Sequence, residues 1–248
     1  MNDRQPLISH LRELRDRLIK SVIALAITTG ISFFFTDSVF RILLRPAGDV
    51  QMIYTDVTEF VSTYFKVSLL TGLVLALPFI VLQLFLFIGP ALLPSEKKYL
   101  YISLPGVTLF YVTGVLFGYF VLLPPALMFL FTFGGDIAQP MIRIGNYVNV
   151  VTTLLMWLGV VFELPFVMFV MTRLGVFTPK ALASRRRWAF VAAFVVGAFI
   201  TPTPDPLNQL IVALPIIGLY ELGTQVSKLA YRQRMRARRK MPEEVQGP

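Results

Sequence analysis

The sequence contains no cysteine, one histidine and few charged residues. The lack of cysteine excludes disulfide bonds, thiol catalysis and cysteine-ligated metals. The single histidine, His10, argues against histidine-rich metal sites and against catalytic triads that need a histidine base. The first apolar run is not followed by the small-residue cleavage pattern of a signal peptide, so we expect that it is retained as a helix.

Apolar residues dominate the composition of the chain. They make up 56% of the 248 residues, and the mean hydropathy is +0.70, which is too apolar for an ordinary soluble domain. Several runs approach or exceed the ~20 residues that a membrane helix needs. The sequence therefore predicts an all-α polytopic membrane protein with six transmembrane helices, of which the fifth and sixth are short. The predicted spans are Leu18–Phe35, Val67–Ile88, Tyr101–Leu123, Tyr147–Leu174, Trp188–Ile200 and Leu207–Leu222.

The basic residues indicate the orientation. Of the 23 Lys and Arg residues, 19 fall in the N-terminal segment, the second and fourth connections and the tail. By the positive-inside rule, both termini are predicted to be cytoplasmic, so the net charge of +9 need not indicate nucleic-acid binding. An amphipathic surface helix is predicted at Pro6–Lys20, running into the first span. We expect residues 1–228 to form the six-helix domain and residues 229–248 to form a disordered basic tail.

One acidic residue lies inside a predicted span. Glu163 occupies the apolar run Tyr147–Leu174, where a carboxylate costs roughly 2.5–3.5 kcal/mol on insertion scales. Pro165 follows closely and removes a backbone donor, so it favours a kink there. We interpret Glu163 as a functional intramembrane polar site, with Gln83 as a second polar group near the end of its own span. The alternative is an acid that only satisfies backbone groups freed by the kink.

Two further acids fall on the predicted cytoplasmic side, which is otherwise basic. Glu13 and Glu96 together could bind a ligand that carries two adjacent arginines, because guanidinium groups pair with carboxylates in bidentate geometry. The alternative for Glu13 is a helical pair with Arg17, four residues later. The alternative for Glu96 is an ordinary solvated loop acid.

Several motifs, taken together and in this order, resemble one family. They are His10–Leu18, Phe87–Leu92, Phe162–Pro165, and Gly197–Pro202 followed by Pro204 and Asp205. With six spans, they resemble the TatC family, the multi-spanning receptor subunits of the twin-arginine protein translocase. The resemblance covers nearly the whole chain, and it implies six helices in a concave, glove-like arrangement.

The resemblance also implies a function. Members of the family are not enzymes and need no cofactor. They lie in the bacterial cytoplasmic membrane as a homo-oligomeric receptor complex and bind the twin-arginine signal peptides of folded cargo. They work with the single-span partners TatA and usually TatB, and the proton-motive force drives transport. The matching positions are Glu13, Glu96, Arg15 and Phe87 for the signal peptide, Pro46 and Asp205 for the outer loops, and Thr201 and Gln209 for docking a TatA or TatB helix.

Two other functions compete with this interpretation. A proton-coupled solute transporter would use Glu163 as its coupling acid, but no inverted repeat is visible and no second buried acid completes a relay. An intramembrane hydrolase would need a Ser–His or paired-Asp constellation at membrane depth. The only histidine lies in the N-terminal surface helix, which disfavours that class.

Overall fold

The described part of the chain is almost entirely helical. The structure, a computed structural model, describes residues 4–48, 50–88, 94–132, 141–201 and 206–239, with the backbone alone at some positions, including Glu96. The helices are α1 (Arg4–Phe33), α2 (Thr36–Leu44), α3 (Val57–Ile88), α4 (Pro94–Phe117), α5 (Leu123–Thr132), α6 (Ile144–Phe162), α7 (Leu164–Leu174), α8 (Pro179–Ser184), α9 (Arg186–Ile200) and α10 (Pro206–Arg239). A 3₁₀ turn, Arg45–Ala47, follows α2, and a π-helical segment, Gly118–Leu122, joins α4 to α5. Two-residue strands, β1 (Met52–Ile53) and β2 (Ile142–Arg143), pair in parallel.

Four helical stretches in the described ranges are long and apolar enough to cross a bilayer. They are Val57–Leu84, Pro105–Thr132, Ile144–Arg173 and Gln209–Met235. Leu11–Phe33 and Thr36–Ala47 meet at 76° and count as a fifth if the bent pair is one span. Helix α9 has 15 residues, or ~22 Å, against a bilayer core of ~30 Å. The predicted all-α membrane fold is confirmed, whereas the six spans and their concave arrangement stay predictions.

The N-terminal elements largely follow the sequence. The predicted surface helix continues without a break into the first apolar run, as helix α1. The short helix α2 follows directly, and Thr36, Phe40 and Leu43 form its buried face. Helix α3 begins at Val57, ten residues before the predicted start at Val67. The reason is a helix cap: the Asp56 carboxylate accepts a hydrogen bond from the Thr58 N–H at 3.1 Å and so stabilises a polar first turn.

Helix α10 departs most from the prediction. The sequence predicts a sixth span of 16 residues, Leu207–Leu222, but the helix continues to Arg239 and has 34 residues. Residues 229–239 are therefore helical, so the predicted disordered tail is wrong for them; residues 240–248 lie outside the described part. Tertiary packing explains the extension, because Ala230 is fully buried and Gln233 accepts a hydrogen bond from Arg173 of α7 at 3.2 Å.

The chain divides into two compact units, Met1–Met156 and Trp157–Pro248. In the first unit, α1 packs along α3, and the two backbones approach closely where a Cβ on Gly72 would lie 2.6 Å from the Thr29 Cα. The Thr28 hydroxyl donates to the Gly72 carbonyl at 2.8 Å, and Thr36 and Ser68 share a buried hydrogen bond of 2.6 Å. The small residue at position 72 is therefore what permits this helix pair to pack.

In the second unit, α10 packs against α7, α8 and α9. The Tyr220 hydroxyl of α10 donates to the Leu182 carbonyl of α8 at 2.8 Å. On the exposed side of α10, Glu221 pairs with Arg186, the first residue of α9, at 2.5 Å. Each shorter helix of this unit is thus tied to α10 by packing or by a polar contact.

Candidate functional site

A polar network in the first unit joins two residues that the sequence singles out. Arg17 of α1 donates from Nη2 to Glu13 Oε1 at 3.2 Å and from Nη1 to Gln83 Oε1 of α3 at 3.3 Å. The side chain of Arg17 is 25% exposed and that of Glu13 is 31% exposed, whereas Gln83 is buried, at 6%. The predicted Glu13–Arg17 helical pair is therefore present, and it extends across to α3. Gln83, predicted as part of an intramembrane polar site, is a partner of Arg17.

The other residues assigned to signal-peptide binding are described in differing detail. Arg15 is exposed and pairs with Asp16 at 2.9 Å. Phe87 lies near the end of α3 and is half-buried. Glu96 is the third residue of α4, where a carboxylate is favoured by the helix dipole, and its side chain lies outside the described part. Glu13 thus has a fully described environment, and Glu96 has only a backbone position.

Glu163 lies at a break in the helix. It ends the run of α6 and precedes α7, and its backbone N–H donates to the Val160 carbonyl at 3.1 Å. Pro165 is the second residue of α7 and is fully buried; lacking an N–H, it cannot continue the hydrogen-bond ladder of α6. Both carboxylate oxygens of Glu163 are buried. The helix is therefore interrupted at the acid itself, at the place where the sequence predicts a kink.

Pro46 has a clear structural effect in the loop after α2. It lies in the 3₁₀ turn after α2, where its missing N–H removes one backbone donor from the end of the helix, while the Arg45 N–H still donates to the Ile42 carbonyl. Two tyrosine hydroxyls supply further donors: Tyr119 to the Ile42 carbonyl at 2.7 Å and Tyr147 to the Leu43 carbonyl at 2.8 Å. Nothing in the sequence pattern predicts this pairing, because the tyrosines lie more than 70 residues away.

Glu59 organises the loops around β1 and β2 and was not singled out from the sequence. Its carboxylate accepts hydrogen bonds from Arg143 Nη2 at 2.7 Å and Nε at 3.3 Å, and from the Gly145 N–H at 3.1 Å. The N–H and hydroxyl of Thr55 donate to it as well, at 3.2 and 3.3 Å. The adjacent carboxylate raises the pKa of Arg143 above its usual value. This cluster, together with the β1–β2 pair, connects the loop that follows Pro46 to the start of α6.

Thr201 and Gln209, predicted to dock a partner helix, both contact the end of α9. The Thr201 hydroxyl donates to the Gly197 carbonyl at 2.9 Å, and the Gln209 amide donates to the Phe194 carbonyl at 2.8 Å. The Thr201 bond lies at the C-terminal end of α9, where the Thr201 N–H donates to the same carbonyl, and the Gln209 bond links α10 to a carbonyl inside α9. The carbonyl oxygen of the Gln209 side chain can still accept a hydrogen bond. Asp205, in the turn between them, lies outside the described residues. Across the described ranges, no three His, Asp or Glu residues gather as metal ligands.

A family model and curated relatives both match this chain. The model of the Sec-independent protein translocase protein (TatC) matches residues 9–215. The Sec-independent protein translocase protein TatC of Aquifex aeolicus is 41% identical over 235 residues, covering 92% of this chain and 97% of that protein. The Escherichia coli (strain K12) protein of the same name is 33% identical and covers 92% of this chain and 90% of its own length.

Two solved structures match this chain as well. A crystal structure of the twin-arginine translocase receptor TatC is 41% identical, covers 89% of this chain and 99% of that chain, and superposes with a TM-score of 0.78. A second crystal structure of the receptor, in DDM, gives a TM-score of 0.80 at 40% identity, covering 88% of this chain and 99% of its own. The family model matches far more than half of the chain, and the fold agrees. The chain therefore belongs to the TatC family of Sec-independent protein translocase proteins.

Proposed function

We propose that this TatC chain is the receptor that binds twin-arginine signal peptides of folded cargo, at a site containing Glu13 and Glu96. The observation that supports the site is the contact of Glu13 with a guanidinium group, because its Oε1 already accepts a hydrogen bond from Arg17. A carboxylate offers about four acceptor positions, and the structure describes one of them in use at Glu13. A ligand arginine has the fork geometry to take the remaining positions.

Arg15 and Phe87 complete the proposed site. Arg15 lies two residues after Glu13 on α1 and is exposed, and a peptide carboxylate could replace Asp16 as its partner. Phe87 lies on the same helix as Gln83, one turn further along, where its ring would contact apolar residues of the peptide. The proposed ligand is thus a peptide with two adjacent arginines followed by an apolar stretch.

Crosslinking tests this site. A photoreactive signal peptide with two arginines is added to membranes that contain the protein, and adduct formation is measured as a function of peptide concentration. Loss of a charge-assisted hydrogen bond corresponds to about tenfold weaker binding or more, so Glu13→Gln and Glu96→Gln should each shift the curve by that amount. Glu221→Gln, which removes an exposed acid elsewhere, is the matched control. Unchanged crosslinking in both variants would refute the site.

We also propose that TatA and TatB helices dock at Thr201 and Gln209, that Pro46 and Asp205 are needed for activity, and that Glu163 is a buried polar anchor for a partner helix. The hydrogen bond from the Gln209 amide leaves its side-chain oxygen able to accept another, and the Glu163 oxygens are buried at a helix break. We further propose that the chain assembles into a homo-oligomeric receptor complex and that the proton-motive force drives transport.

The proposed location is the bacterial cytoplasmic membrane, with both termini cytoplasmic. The support is the distribution of Lys and Arg, since 19 of 23 fall on one side of a six-span topology. The chain has no cysteine, so one introduced cysteine is the only thiol. An impermeant maleimide added to intact cells should label Gln51→Cys and should label Ser184→Cys only after lysis. The reverse pattern would overturn the orientation.

A further inference from the structure

The position of Arg17 suggests more than a surface ion pair. An exposed i,i+4 pair holds two side chains loosely and contributes little. Here the Arg17 side chain is three-quarters buried. Its guanidinium is shared between two helices, because it also donates to Gln83, a buried residue 66 positions away in sequence. The second contact fixes Arg17 in place against the Glu13 carboxylate.

We propose that Arg17 is an internal competitor, a guanidinium that occupies Glu13 until an arginine of the ligand displaces it. The proposal rests on the proposed function, since it concerns regulation of the same site. The chemistry is matched: the group that holds Glu13 in the ligand-free protein is the group that the ligand would bring. When the ligand binds, Arg17 gives up Glu13 Oε1 and keeps Gln83, whose oxygen is 3.3 Å away on the other branch of the fork.

A competitor of this kind lowers the affinity for every ligand that needs Glu13 by one common factor. The apparent dissociation constant equals the intrinsic one divided by the fraction of receptor whose site is open. A partly exposed ion pair corresponds to a factor of about 1.5 to 5. The internal contact therefore weakens all such ligands equally and leaves the ratio of their affinities unchanged.

The test is a binding measurement on the purified full-length protein in nanodiscs. The probe is a fluorescent peptide with two adjacent arginines, and the same peptide with two glutamines gives the background. Arg17→Gln should bind the arginine peptide about 1.5- to 5-fold more tightly. Lys20→Gln removes the same charge from an exposed residue of α1 and should leave affinity unchanged. If Arg17→Gln does not fold, Arg17→Lys replaces it: lysine lacks the fork that reaches both acceptors, so affinity should rise, by a smaller factor.

A double-mutant cycle identifies the mechanism. In a Glu13→Gln background, Arg17→Gln should produce no further gain, because there is no carboxylate left to release. An equal gain in affinity in that background would mean a general charge effect. Weaker binding in the Arg17 single variant would mean that Arg17 supports the site, and unchanged binding would mean that it does not compete for Glu13. Each of these results overturns the proposal that Arg17 is a competitor. If Glu13→Gln itself leaves binding intact, then Glu13 is not part of the signal-peptide site, which is a separate outcome.

Discussion

The end of helix α2 offers a prediction with a built-in control. Two tyrosines perform the same task there, each donating a hydroxyl hydrogen to one carbonyl in the last turn of the helix. Tyr147 is 3% exposed, and its hydrogen bond to Leu43 is buried. Tyr119 is half-buried, and its hydrogen bond to Ile42 is exposed. Replacing each tyrosine by phenylalanine removes one oxygen and little else.

The expected costs differ because the two carbonyls differ after the change. In Tyr147→Phe, the Leu43 carbonyl loses a donor at a place that water does not reach, and a buried group left without its partner costs about 1–3 kcal/mol. In Tyr119→Phe, the Ile42 carbonyl still accepts from the Arg45 N–H. The net loss there should be about 0.5 kcal/mol, the lower end for an ordinary hydrogen bond.

Two measurements address this prediction. The free energy of unfolding in mixed micelles with increasing SDS gives the global cost. Hydrogen exchange of the α2 amides (Thr36–Leu44) gives the local one, which matters because the chain has two compact units and need not unfold in a single step. Tyr147→Phe should lower the stability and speed exchange in α2 more than Tyr119→Phe does. Equal effects, or a larger effect at Tyr119, would refute the account of the helix end.

Two further predictions concern Glu59 and Glu163. A Cβ added by Gly145→Ala would lie 2.7 Å from Glu59 Oε1, so the carboxylate must shift, and amide exchange in β1 and β2 should accelerate. Arg143→Gln should accelerate the same exchange. Exchange as slow as in the unsubstituted protein in both variants would contradict a role for the cluster. For Glu163, transport of a folded reporter separates three functions. If Glu163 is a polar anchor, Glu163→Gln should retain activity and Glu163→Leu should lose it. If it is an obligatory proton carrier, both variants should lose activity equally, and if it is merely buried, Glu163→Leu should lose none.

Local chemistry made part of this architecture predictable. The apolar runs located the long helices, since twenty residues without charge have few alternatives to a membrane helix. Glu163 and Pro165 together predicted the break between α6 and α7, because an isolated acid in lipid and a missing N–H both act within one turn. The i,i+4 spacing of Glu13 and Arg17 predicted their contact for the same reason.

The missed features depend on contacts between residues distant in sequence. No spacing rule links Tyr147 to Leu43 or Glu59 to Arg143, which are 104 and 84 residues apart. The length of α10 was missed likewise: its last turns read as a polar, basic tail, and they are helical because Ala230 packs in the core of the second unit. Tertiary packing overrides composition there.

Two carboxylates of the first unit show how a receptor site differs from a structural one. Glu59 accepts five described hydrogen bonds, from Arg143, Gly145 and Thr55, and its side chain is 10% exposed. A ligand would have to break several of these hydrogen bonds to bind, so the role of Glu59 is structural. Glu13 accepts one described hydrogen bond, from a guanidinium on its own helix, and remains 31% exposed. An arginine of the ligand would replace the Arg17 guanidinium with another guanidinium and add contacts to unused acceptor positions of the carboxylate. For this reason the binding function is assigned to Glu13.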